Sequence, residues 1–468
     1  WAVPADWSAS NTIECIGGGG AGGDQPNTGA GAGGGGGGAY AKISNATLTP
    51  GITVGIKVGA GGTMVSNAAG NPGGDTWLCN ATSNCGTIAS TSVSVGAKGG
   101  SGGTISATGG AGGATSTSKG SIRYQGGTGG NGSTTGDTGG GGGGAAGPLG
   151  EGRNGGNGGA TSSWAGGGGG GAGGASSTAG SVGALIGGNG GAGYLGTGGG
   201  LGGNATNGGN ATATAGGGGG GANGYNGGNG TTSAYWATGS NTAGPGGGGG
   251  GTGDNGAGGN GAVYGGGGGG GTTGANEAGA KGIIVITYTP VVLDQKHYIW
   301  RNDLTLLNTY GGFISATDTA TTTNVGTILR LRVGIANTGG TASGTIYQLE
   351  YAQKAANGCA SSTFSPLPVD ATTEYFEMAT SSQYSNNATI TARFLPATGG
   401  WADGRGVTDP SNTTTAFTLA GATDTEFEYA IKATANVTST TSFCFRLTNN
   451  GATTTFSYTV YPELQVYI

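Results

Sequence analysis

Apolar and polar residues alternate in several short stretches, and no stretch has the three-to-four spacing of an amphipathic helix. Leu329, Leu331, Val333 and Ile335 are separated by Arg330, Arg332 and Gly334, while Phe427, Tyr429 and Ile431 sit among Glu426, Glu428 and Lys432. Tyr347, Leu349 and Tyr351 repeat the pattern, as do Phe443, Phe445 and Leu447. Successive side chains of a strand point to opposite faces, so a period of two marks half-buried strands. Turn-rich segments divide these runs, and residues 290–468 are expected to form an Ig-like antiparallel β-sandwich of roughly seven to nine strands. Upstream, Ile52, Val54, Ile56 and Val58 alternate with Thr53, Gly55 and Lys57, and Val93 and Val95 suggest another strand. Ile13 to Ile16 and Ile283 to Tyr288 are the most apolar β stretches there, and they are expected to lie together and frame what separates them.

What separates them is mostly glycine. Of 122 glycines only 14 follow Gly282, and six runs of six or more fall at 33–38, 139–144, 166–171, 216–221, 246–251 and 265–271. GGN units ending at Asn157, Asn189, Asn210, Asn229 and Asn260 interleave them, and residues 154–253 contain no Asp, Glu, Lys, Arg or His. Ordering such a chain costs on the order of 1–2 kcal/mol per residue, and glycine has no side chain to bury in return. Only peptide N–H and C=O groups can compensate, at about 1 kcal/mol net per pair, so nearly all must be paired. Collagen is excluded, because no strict third-residue register exists and the chain has only 12 Pro. Extended left-handed threefold helices, the polyglycine counterpart of polyproline II, bond laterally in several directions, and a six-residue run spans roughly 19 Å. Asn, Tyr and Pro245 are then expected at turns and edges. The organisation expected is a β-strand frame over 1–123, a polyglycine II helix bundle with its closing strand over 124–289, and the sandwich over 290–468, a mainly β protein.

The N-terminal WAVPADWSASNTIECIGGGG, the block GGGGAYAKISNATLTPGITVGIKVGAGG and the closing AGAKGIIVITYTP resemble the glycine-rich domain of phage tail-fibre and bacterial surface proteins, over about residues 1–290. The resemblance implies polyglycine II bundles. The chain departs from that family in starting at Trp1, which leaves Trp1, Val3 and Trp7 as docking groups for a neighbour. The segment from HYIWRND through LRLRVGIANTGG and YQLEYA to FCFRLTN is similar to a β module of predicted surface proteins from uncultured small-genome bacteria, and that likeness implies no activity.

Composition narrows the function. Charged residues are 8% of the chain and the net charge is −5, with no Lys/Arg cluster, so a nucleic-acid partner is not expected. No apolar run approaches the roughly 20 residues of a membrane span, so no membrane insertion is expected either. The absence of an initiator Met reads as a trimmed exported product, with a chain numbered after tag removal as the other reading. Five cysteines suit an oxidising compartment. Cys79 and Cys85 bracket a short polar loop and are expected to pair. Cys359 and Cys444 are the remaining C-terminal pair, worth about 4 kcal/mol in the chain-entropy model. Cys15 is left over as a buried thiol. Cys444 falls opposite Phe443 and Phe445, so its bond is expected to pin a loop outside the core.

Catalytic and metal chemistry find little footing. His297 is the single histidine and reads as structural or solvent-facing. Glu350, Glu374, Glu377, Glu426 and Glu428 fall on alternating positions expected to face solvent, and no spacing selects a pair for hydrolysis. Asp403, Asp409 and Asn412 lack the regular spacing of a calcium loop and read as a turn. Nine N-x-[ST] sequons, at Asn45, Asn80, Asn131, Asn204, Asn210, Asn229, Asn387, Asn412 and Asn436, barely exceed chance for this composition. The expectation is a non-enzymatic extracellular structural protein at the cell surface, without cofactor or metal, that self-assembles into a filament as a homopolymer. The termini, with Trp1, Val3, Trp7, Val466 and Ile468, are its candidate intersubunit contacts. The alternative is an adhesin of a phage tail fibre or cell surface that presents Tyr194, Tyr225, Tyr235 and Trp236 to a receptor or glycan.

Overall fold

The computed structural model describes residues 1–468 apart from 27–28, 161–163, 175, 194–195, 197, 213–214, 222–224, 233–234, 239–240 and 273–276. The chain is mainly β, and the 3₁₀ turn Cys359–Ser361 is the only helical element among the described residues. It forms two compact units. One comprises Trp1–Ala2, Thr12–Leu48 and Ile52–Thr287; the other comprises Val3–Asn11, Thr49–Gly51 and Tyr288–Ile468. The stretches expected as strand frame, 1–123, and as bundle, 124–289, fall largely in the same unit, and most of the first dozen residues belong with the C-terminal unit. There, the N–H of Val291 donates to Asp6 O, that of Thr289 to Ser10 O, and the rings of Trp7 and Tyr288 lie 5.1 Å apart.

In the glycine-rich unit a four-stranded sheet runs in the order Ile122–Tyr124, Tyr40–Ser44, Asn11–Ile16, Ile283–Tyr288. The two apolar stretches that flank the glycine are thus neighbouring strands. Ile13 faces Ile43 and Cys15 faces Ala41 across one antiparallel pair. Thr76–Cys79 is the middle strand of a second sheet, between Ile56–Lys57 and Val93–Ala97, and Trp77, Cys79, Ile88 and Val93 pack beside it. The alternation at 52–58 is only partly a strand: Val54 is buried, but Ile52, Ile56 and Val58 are exposed, because Ile56–Lys57 lies at the sheet's edge.

The glycine runs bond in a repeat of three. From the run 33–38, the N–H groups of Gly33 and Gly36 donate to Thr104 O and Ser101 O, those of Gly34 and Gly37 to Gly130 O and Gly127 O, and those of Gly35 and Gly38 to Gly268 O and Gly265 O. From 139–144, Gly139 and Gly142 donate to Thr252 O and Gly249 O, Gly140 and Gly143 to Ala32 O and Gly35 O, and Gly141 and Gly144 to Gly156 O and Arg153 O. A strand in a sheet bonds to neighbours on two sides with a period of two. Here each run donates to three neighbours and accepts from three others, and every third residue returns to the same one. Such closeness leaves no space for side chains: a Cβ on Gly35 would lie 2.1 Å from Gly20 O, and one on Gly142 2.1 Å from Gly267 O.

The asparagines of the GGN units sit at the rim of this array. The N–H of Gly202 donates to Asn189 Oδ1, that of Asn229 to Asn210 Oδ1, that of Asn260 to Asn229 Oδ1, that of Ala278 to Asn260 Oδ1, and that of Asn131 to Asn157 Oδ1, at 2.8–3.1 Å. A side-chain amide oxygen has the chemistry of a peptide carbonyl, so each Asn supplies an acceptor where another chain segment would otherwise be needed.

The C-terminal unit has two large sheets that share one core. One runs Ala388–Ile390, Gly404–Val407, Thr423–Ala433, Ile328–Asn337, Leu293–Asn302, Phe456–Tyr458; the other runs Thr321–Asn324, Glu463–Tyr467, Thr441–Asn449, Tyr347–Gln353, Ser365–Pro366. Leu331, Val333, Phe427 and Tyr429 from the first pack with Tyr347, Leu349, Phe443 and Phe445 from the second. The strands are not all antiparallel as expected. Leu293–Asn302 with Phe456–Tyr458, Gly404–Val407 with Thr423–Ala433, and Thr321–Asn324 with Glu463–Tyr467 are parallel pairs, each joined through long connections that let the chain return in the same direction.

Candidate functional site

The most polar part of the C-terminal unit is buried. On the strands Leu293–Asn302, Ile328–Asn337 and Thr423–Ala433, the side chains of Arg301, Arg330, Arg332 and Glu428 are fully enclosed. Glu428 receives Arg301 Nη1 at 2.8 Å and Arg332 Nε at 2.6 Å, with Arg330 Nη1 3.0 Å away, while Arg332 Nη1 reaches Glu426 at 3.1 Å. The Phe394 ring covers Arg332 and Arg301, and Tyr384 lies beside Arg330. Burial pulls Arg301 below its ordinary value against the opposing pull of Glu428, and burial raises Glu426 although Arg332 and the N–H groups of Phe394 and Leu395 oppose it. Glu350, Glu426 and Glu428 therefore do not face solvent, contrary to the alternation. The outer face of their strands is roofed by loops instead of water, and Glu350 is paired with Arg446 at 2.7 Å. Glu374 and Glu377 are half-buried.

The roof includes a loop whose backbone the guanidiniums hold directly. Arg301 donates to the carbonyls of Leu306, Leu307, Thr309 and Gly311, Arg330 to those of Asn302 and Thr305, and Arg332 to that of Leu307. Leu307 points inward, whereas Leu304, Leu306 and Tyr310 are 80%, 62% and 75% exposed. A polar segment would be the ordinary choice at such a surface.

Beside this cluster, Lys296, His297, Arg393, Trp401, Asp424 and Glu426 line a cleft of ≈ 10 Å³, room for about one water. Its carboxylates are occupied: Asp424 accepts from the N–H groups of Thr398 and Gly399, and Glu426 from those of Phe394 and Leu395. His297 Nδ1 lies 2.7 Å from Asp318. Asp403 accepts from Trp401 Nε1, Asp409 from the Thr380 hydroxyl, and buried Asn412 bridges Leu349 and Leu367. Among the described residues, no group of three or more His, Cys, Asp and Glu is placed to hold a metal ion, and no helix is long and apolar enough to cross a membrane.

No protein-family model matches this chain, and no curated protein matches it. Its own geometry carries the functional argument. Cys79–Cys85 and Cys359–Cys444 are bonded, with Cα atoms 6.1 and 5.6 Å apart. Cys359 and Cys444 are both buried, and the bond ties the 3₁₀ turn to the strand Thr441–Asn449. Cys15 is a buried free thiol whose pKa burial pushes far up, with Glu14 adding to it. In the glycine-rich unit Glu277 is fully buried, and burial, aided by the Asp24 charge, pushes its carboxyl up to about 9, so it carries its proton at neutral pH.

The aromatic candidates among the described residues differ in their surroundings. Tyr194 lies outside the described residues. Tyr225 is half-buried, and its carbonyl accepts from Gly253 N–H. Trp236 packs with Ile16, Tyr40 and Ala145, and its Nε1 donates to Glu14 at 2.9 Å, while Tyr235 is 39% exposed with its ring edge-on to Trp236. Among the terminal candidates, Val3, Trp7 and Val466 are buried in their own chain and are not surface docking groups. Glu463–Tyr467 is moreover flanked by strands on both sides, so it is no open edge. Trp1 is half-buried, with its ammonium on Val54 O, and Ile468 is 77% exposed.

The exposed apolar residues were missed by a reading that sought acids and aromatics. Their signal is present: Leu304, Leu306, Leu307, Tyr310, Phe313 and Ile314 crowd a stretch without a formal charge between two strands.

Proposed function

We propose that the chain is an extracellular structural protein, the self-assembling subunit of a cell-surface filament, whose glycine runs are polyglycine II helices packed as a bundle and whose C-terminal unit is an Ig-like β-sandwich with added parallel strands. The observation that carries this reading is the repeat of three in the hydrogen bonds of 33–38 and 139–144, the lateral bonding of a threefold helix that donates to three neighbours and accepts from three others. An array bonded in three directions resists bending and shear, a property useful in a load-bearing element, and it is assembled from residues with no reactive side chain. Two disulfides suit an oxidising, exported setting. The glycine-rich domains of phage and bacterial surface proteins that the N-terminal motifs resemble fit the same reading.

Negative-stain microscopy of the purified chain over a range of concentrations tests it. Filaments with one regular axial repeat are the expected outcome. Discrete monomers or trimers at every concentration would reject the filament and favour the adhesin.

A further inference from the structure

One buried carboxyl of the glycine-rich unit has no part in the bonding around it. Glu277 opens the last glycine-array segment before the strand Ile283–Tyr288, and its side chain is fully enclosed, with neither carboxyl oxygen in a hydrogen bond. The carboxyl presses on Gly271, where not even a Cβ would fit, and Asp24, bridged to the same Gly271, is buried as well. The backbone of the segment, by contrast, is well bonded. The N–H groups of Gly22 and Gly19 donate to Glu277 O and Ala280 O, those of Gly261 and Gly265 to Ala278 O and Lys281 O, and those of Gly279 and Ala280 to Gly62 O and Gly266 O.

We propose that Glu277 is a proton-operated latch: protonated, it lets the segment 277–281 lie in the array, and ionised, it drives that segment out. A neutral carboxyl tolerates enclosure at modest cost, whereas a buried carboxylate without a partner does not. The surroundings offer the ion no cation. The stretch 19–24 brings only Asp24, a like charge that already accepts the N–H of Asn67 at 2.9 Å. The stretches 60–63, 258–262 and 265–272 contain no titratable side chain, and Lys281, on the segment itself, is exposed and lies over the Tyr264 ring. The N–H of Gly258 favours the ion, but burial first and the Asp24 charge second outweigh it and raise the carboxyl from 4.5 to about 9. Once the segment opens, the side chain meets water and returns to the ordinary glutamate range. Between about 4.5 and about 9 the closed segment therefore holds a proton that the open one has lost, so opening gains about tenfold per pH unit across that window and levels off above it. Below the window the latch is fully shut. The device does not depend on the filament reading.

Amide exchange of the full-length chain, normalised to the intrinsic rate at each pH, reads the opening. Protection of the N–H groups of Gly19, Gly22, Gly261, Gly265, Gly279 and Ala280 should fall about tenfold per pH unit up to about pH 9, while the run 166–171 keeps its own. In Glu277→Gln, which fills nearly the same space and has no charge to gain, that slope should vanish. Asp24→Asn keeps an acceptor for the Asn67 N–H but removes the repulsion, so its plateau should begin at lower pH; this variant carries the test if Glu277→Gln does not fold. A Glu277→Gln slope equal to that of the unmodified chain, a flat profile in the unmodified chain, or an unmoved plateau in Asp24→Asn overturns the latch. So does protection at neutral pH that a chelator abolishes, because a cation rather than a proton would then neutralise the carboxyl.

Discussion

Replacing Gly142 by alanine is expected to destabilise the glycine-rich unit by about 3–5 kcal/mol, near the top of the range for single substitutions. The new Cβ would lie 2.1 Å from Gly267 O and 2.6 Å from Gly267 C, both backbone atoms with no rotamer to move aside. Relief requires one run to shift against another that is itself bonded to neighbours all round it, and each bond lost costs about 1 kcal/mol or more. Gly86 is the control from the same unit, because nothing lies within 4 Å of a Cβ built there. Gly86→Ala should stay within about 0.5 kcal/mol of the unmodified protein. Urea denaturation followed by far-UV circular dichroism compares the two. Equal stability of both variants would show that the runs are not in close backbone contact.

Replacing Glu428 by glutamine should be as damaging to the C-terminal unit. It removes the anion that three enclosed guanidiniums share, at 2.6–3.0 Å, and leaves only Glu426 and Asp303 near them. Breaking a buried ion pair by removing one partner costs about 3–5 kcal/mol, because the remaining charge stays buried without compensation. Trp300 is fully buried in the same unit, and its fluorescence reports the unfolding. The loop 302–311 should loosen as well, since the same arginines hold its carbonyls. An unchanged denaturation midpoint would mean that the cluster is hydrated and that the roof over it is open.

The apolar alternations were legible because period two needs only one sequence. Leu329 to Ile335 and Phe427 to Ile431 put their apolar members in the core as read. What covers their other face was not legible. Arg330, Arg332, Glu426 and Glu428 have the look of a solvated face, yet loops distant in sequence enclose them, and alternation says nothing of such a roof. Strand direction was hidden for a similar reason: the parallel pairing of Thr321–Asn324 with Glu463–Tyr467 depends on where a long connection returns the chain. In the glycine-rich half, pairing of nearly every peptide group follows from the absence of side chains. Identical residues carry no register, however, so which run bonds to which could not be read. The GGN asparagines are the exception: there, side-chain amide oxygens take the place of peptide carbonyls at the rim. The termini misled because Val3, Trp7 and Val466 look like sticky ends and are instead core residues of their own chain.

Amide hydrogen exchange over residues 124–282 of the intact protein tests most directly whether peptide groups hold the glycine-rich unit together. Bonding in three directions predicts strong protection of the N–H groups in 139–144, 166–171 and 246–251, orders of magnitude beyond that of the turns at 184–186 and 204–206. Exchange across those runs as fast as in an unstructured peptide would contradict it.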